Sequence, residues 1–123
     1  MTLIEAIQRT DAIKPNTYSQ SDKIRWLSTV DQTVKEQIVD KHEGGEGVVF
    51  VAYTDETPLD TELLVPAPFE EIYLYWLSAQ IDFWDREMGM FNNNMTMYTN
   101  AYNEYERHYR REHMPKARQF KFF

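Results

Sequence analysis

The chain has 123 residues, a net charge of −7 and no cysteine, which suits one domain with a real core and leaves no room for a second. Without cysteine there can be no disulfide, thiolate metal site or cysteine nucleophile. No apolar run approaches the ~18 residues of a membrane span, and the first residues lack a basic-then-apolar leader, so no membrane partner and no secretion are expected.

Thr2-Leu3-Ile4-Glu5 has capping-box spacing and predicts a short helix fading before Pro15, with Ile4, Ile7 and either Ala6 or Ile13 facing inward. Lys14-Pro15-Asn16-Thr17 is turn chemistry. A second capping signal at Ser19-Gln20-Ser21-Asp22 opens a helix to about residue 41, and Ile24, Leu27, Val30, Val34 and Ile38 share one stripe of it. Trp26 lies off that stripe as a second contact point. Gly44 and Gly45 suit a left-handed cap. Residues 48–53, Val-Val-Phe-Val-Ala-Tyr, form the β-rich run, and with residues 63–65 they predict a minor hairpin or wing.

From Pro66 to His113 the pattern predicts one long amphipathic helix, bounded by Pro66 and Pro68 at one end and Pro115 at the other. Trp76, Phe83, Trp84, Met90, Phe91, Met95, Tyr98, Tyr102 and Tyr105 fall on one broad face and are the candidate core or interface residues. Trp76 and Phe83 are expected in the core. Gly89 marks the expected kink. Unbroken, residues 67–113 would span about 70 Å, against a radius of gyration near ~14 Å for a compact domain of this size. Either the helix folds back near Gly89 into a compact bundle or its remaining face is covered by other molecules in an oligomer, and the phase of the stripe, which continues through Gly89, favours the second. Met88, Met90, Met95 and Met97 lie mid-helix, where adaptable side chains suit a subunit contact. The fold class expected is therefore mainly α: a small bundle with one long C-terminal helix, as a single domain over residues 1–123.

No catalytic constellation emerges. His108 and His113 are five apart and cannot form the i, i+4 metal pair of a zinc protease. Asp82 and Asp85 could hold a divalent ion only with a second ligand set, and a solvated acidic face is the preferred reading. His42 reads as a surface or partly packed residue. Glu43-Gly44-Gly45-Glu46-Gly47 is a turn, since it lacks the Gly-Lys-Ser/Thr ending of a phosphate loop. No enzyme activity, cofactor or metal is expected.

Charge is unevenly distributed. Residues 107–123 hold six basic side chains against one acid, a net of +5, which leaves −12 on residues 1–106. An acidic body repels phosphate backbones and argues against DNA as a bound ligand. Beyond Pro115, Lys116, Arg118 and Lys121 interleave with Phe120, Phe122 and Phe123, a tail expected to order against a partner.

Pro66-Ala67-Pro68-Phe69-Glu70-Glu71-Ile72-Tyr73, Tyr75-Trp76-Leu77 and Ala79-Gln80-Ile81-Asp82-Phe83 resemble small head-tail connector (adaptor or head-completion) proteins of tailed phages and prophages. Asn92-Asn93-Asn94-Met95-Thr96-Met97-Tyr98, Ala101-Tyr102 and His113-Met114-Pro115-Lys116 are similar to the same group. The resemblance covers residues 61–116 and extends to the first half only in layout. It implies a helical structural subunit, without enzyme activity, that self-assembles as a ring beneath the portal protein. Such a ring meets tail-completion proteins and extends a channel through which DNA passes without specific binding. Its implied setting is the bacterial cytoplasm during assembly and then the head-tail junction of the virion. The alternative is a small helical adaptor or regulatory module acting as a monomer or dimer. A metal-dependent hydrolase built on Asp82 and Asp85 is the weakest of the three.

Overall fold

The computed structural model describes residues 1–45 and 47–114. Among them are four α-helices: α1 (Leu3–Ile13), α2 (Gln20–Gln37), α3 (Glu71–Trp84) and α4 (Met88–Glu112), with a 3-10 turn at Val39–Lys41 after α2. The protein is a mainly helical bundle, and its long C-terminal helix is α4.

Local chemistry starts the first two helices where the sequence predicts. Thr2 and Glu5 close a reciprocal capping box at α1, and Ser19 accepts the amide of Asp22 at α2. Leu3, Ala6 and Ile7 bury one face of α1, whereas Ile13 is 68% exposed at its last turn. Gly44 adopts φ +89 after the 3-10 turn, and a Cβ on Gly45 would sit 2.5 Å from the carbonyl oxygen of Val39. Both positions require glycine.

The expected hairpin does not form among the described residues; residues 48–53 run without strand pairing. The reason is competition for backbone donors. Tyr53 N–H donates to Ser28 Oγ, Leu64 N–H to Asp31 Oδ2, Val65 N–H to the Tyr73 hydroxyl and Leu63 N–H to the carbonyl of Met1. Two first-turn amides of α1, from Leu3 and Ile4, take the carbonyls of Thr61 and Leu59 at 3.0 Å each. Helix ends leave such donors orphaned, and this loop satisfies them. A single antiparallel bridge, Thr2 with Glu62, is the local result.

α3 is buried on nearly every side and touches each of the other three helices. Such a helix belongs at the centre of a bundle. The continuous helix expected over residues 66–113 does not exist. Asp85 caps α3, Arg86 takes the left-handed conformation at φ 63, and the Glu87 amide donates to the Asp82 carbonyl at 2.8 Å. With the Arg86 amide on the Phe83 carbonyl at 3.1 Å, that closes a Schellman reversal, built on a left-handed arginine where glycine is usual. Gly89, the expected kink, sits inside α4. Paired positions then run in opposite directions: Phe83 with Phe91, Trp76 with Tyr98, Phe69 with Tyr105. α3 and α4 are an antiparallel hairpin. Stripe phase could not reveal this, because each arm needs an apolar face toward the same core whether or not the arms are collinear. The chain folds back instead, so no excess helix length is left to call for covering subunits.

Candidate interaction surface

The long amphipathic stretch separates into two zones. Near the root of the hairpin, aromatic residues pack inward, and the polar tips of Trp76 and Tyr102 find partners. Tyr105 is 3% exposed. Trp76 is half-buried on Tyr98, ring centroids 4.9 Å apart, and its indole N–H donates to the Trp26 carbonyl at 2.9 Å. Tyr102, also half-buried, donates its hydroxyl to Gln37 Oε1 at 2.7 Å. Burial holds the phenols of Tyr98 and Tyr105 up at about 12.

Beneath this zone lies a polar anchor that the sequence pattern did not expose. Asp31, fully buried on α2, accepts the hydroxyls of Tyr53 and Tyr73 and the amide of Leu64. Its carboxyl is raised above the usual range by desolvation, which outweighs the lowering effect of those three donors. Tyr73 and Tyr53 are raised in turn, first by burial and then by the Asp31 charge. One carboxylate thus ties α2, α3 and the irregular segment between them. Its signal was a lone acid inside the apolar stripe Ile24–Val30–Val34, where a solvated residue has no place.

At the far end the hairpin turns outward. Phe83 is 42% exposed, Trp84 58%, Met88 45% and Met90 49%. Phe83 is therefore no core residue: one side of its ring packs on Phe91 of α4 and the rest faces solvent, while Ile81 and Asp82 of the same turn are buried. Phe91 and Met95 are half-buried, with Phe91 against Phe83 at 5.5 Å. Trp84 also walls a cleft of about 340 Å³ shared with Tyr18, Asp22, Arg25 and Trp26. Tyr18 and Trp26 meet edge-to-face at 5.8 Å, and the Tyr18 hydroxyl donates to Asp85 at 2.7 Å. Trp26 was legible as an off-stripe contact. Tyr18 was not, because it precedes its helix.

No protein-family model matches this sequence, and neither a curated protein nor a solved structure is found similar to it.

The acidic pair divides: Asp85 is exposed, as a solvated face requires, and Asp82 is not. Asp82 is 1% exposed, ion-paired to Lys14 Nζ at 2.6 Å and bonded to Asn94 Nδ2 at 2.7 Å. It joins the end of α1 to both arms of the hairpin, while Asp85 is occupied by Tyr18. Among the described residues no three His, Cys, Asp or Glu side chains are grouped to hold a metal, and no helix is long and apolar enough to cross a membrane. His42 is buried, its Nδ1 2.6 Å from the Ile38 carbonyl and its ring against Tyr109. His108 lies on Phe69 and His113 stacks on Tyr109. The tail residues Lys116, Arg118, Phe120, Lys121, Phe122 and Phe123 lie outside the described residues.

Proposed function

We propose that this chain is a structural subunit of a phage-type head-tail connector, assembling as a ring against a portal protein and meeting tail-completion proteins. The observation that carries the reading is the aromatic and methionine surface at the hairpin tip, Phe83, Trp84, Met88 and Met90, left uncovered by the chain's own helices. Aromatic and methionine side chains are enriched at the centres of protein interfaces. The resemblance of residues 61–116 to connector proteins supports the same reading. A net of −12 on residues 1–106 fits a channel wall along which DNA slides without adhering.

The fold-back of α4 onto α3 favours a second reading, the small helical adaptor acting as monomer or dimer, because the hairpin covers much of its own apolar face. Co-expression with a portal protein, sought among the neighbouring reading frames, separates the two. A connector yields a portal-bound ring, visible by electron microscopy and by light scattering of the purified complex. A 1:1 complex with a single partner, or no association with the portal, supports the adaptor instead. Submicromolar affinity for duplex DNA at physiological salt would remove the channel-wall role.

A further inference from the structure

We infer that the hairpin tip is the receptor for residues 115–123 of a second copy of this chain, so that copies join head to tail. This rests on the connector reading for its purpose, but its physical grounds are separate. α4 begins at the tip and ends beside the root of the tail, where the Glu43 amide donates to the Met114 carbonyl at 2.7 Å. Its 25 residues separate the two ends by about 37 Å. Fully extended, nine residues reach at most ~32 Å, and Phe120 reaches only ~21 Å from Met114. Phe120 and Gln119 therefore cannot reach the start of α4 in their own chain, so a tail whose Gln119 lies beside Gly89 comes from another copy.

The chemistry of the two surfaces is complementary. Phe120, Phe122 and Phe123 alternate with Lys116, Arg118 and Lys121. The tip offers exposed faces on Phe83 and Trp84, adaptable Met88, and the cleft beside Trp84. Aromatic pairs attract through offset or edge-to-face contact, and cations settle over an indole face. Asp22 is paired with Arg25, which leaves Asp85 and Glu87 against Arg86 around it, in keeping with the acidic body. A rival berth lies at the tail's own root, a groove of about 520 Å³ walled in part by Glu36, Asp40 and Val49. It is a poorer match. Its phenylalanine, Phe50, is already packed against the core, and Lys35 stands on its wall.

A tip-to-tail contact joins two different patches, so it is heterologous and propagates to a ring or an open chain. Cysteine pairing in the full chain tests it, since the native sequence has none. A Cβ at Gly89 meets nothing within 4 Å, so Gly89→Cys adds a thiol at the tip without disturbing it. Mixing the Gly89→Cys chain with a Gln119→Cys chain under mild oxidation should give a disulfide-linked heterodimer. Adding Trp84→Ser to the Gly89→Cys chain should abolish that product. Absence of the heterodimer overturns the inference, and so does a heterodimer indifferent to Trp84→Ser. An internal disulfide in a chain carrying both Val49→Cys and Gln119→Cys, with the mixed pair unlinked, would place the tail at its own root and also overturn it. Linked open chains that never close sustain the inference and end the ring. Rings that form without the 89–119 link do the reverse.

Discussion

The two ends of the α3–α4 hairpin are built from the same kinds of residue and serve opposite purposes. At the root, Trp76, Tyr98 and Tyr102 pack ring on ring, Tyr105 packs on Phe69 and Tyr109, and the polar atoms of Trp76 and Tyr102 are bonded to the Trp26 carbonyl and Gln37. At the tip, Phe83, Trp84, Met88 and Met90 stand in solvent around a left-handed turn. Aromatic content alone does not distinguish core from interface. What distinguishes them is how much lies opposite: α1, α2 and the 53–65 segment cover the root, whereas among the described residues the tip is flanked only by Phe91 and the Tyr18–Trp26 edge, and its side chains stay 42% or more exposed.

The widest gap between the two ends should appear on truncation. Leu77, fully buried where α3 meets the core, should cost about 2–5 kcal/mol on replacement by alanine. Trp84→Ala at the tip should cost under about 1 kcal/mol, as expected of a surface site. Urea denaturation measures both, and equal losses would mean that the tip is core after all.

Asp31→Ala should cost about 3 kcal/mol, because it strands two buried hydroxyls and the Leu64 amide together. A loss below about 1 kcal/mol would show the anchor to be dispensable. The raised Asp31 carboxyl sets a sign as well. Its contribution is full below the ordinary aspartate range and is lost as pH rises through its folded value, so acid should not unfold the protein at this site.

Tyrosine titration sharpens the contrast at the alkaline end. Burial raises Tyr98 and Tyr105 from 10.0 to about 12, so the stability they contribute is full below pH 10 and declines from there through about 12. Absorbance at 295 nm should show a buried class of tyrosines ionising only as helical circular dichroism is lost. All eight tyrosines titrating together near pH 10 in a folded chain would contradict the root's burial. A smaller effect belongs to Trp76→Phe, which removes the bond to the Trp26 carbonyl and should cost about 1 kcal/mol. No change in melting temperature would leave that bond without consequence.

What was legible in the sequence was whatever depends on near neighbours. The capping box at Thr2 and Glu5, the Ser19 cap, the α2 stripe and the glycine turn at 44–45 are one-turn problems, solved by residues three or four apart. The sequence by itself thus determined a helical chain, its first two helices, and an apolar surplus in the second half. Three features depended on residues dozens of positions away, and tertiary structure alone decided them. Asp31 draws Tyr53, Tyr73 and the Leu64 amide together and so denies residues 63–65 to a hairpin. Lys14 and Asn94 converge on Asp82, turning an apparent surface acid into a buried tie. Arg86 in a left-handed turn reverses the chain, and periodicity cannot register that, because both arms present an apolar stripe to one core. Which part of the stripe became root and which became tip followed from that single reversal, through the reach of the helices packed against it.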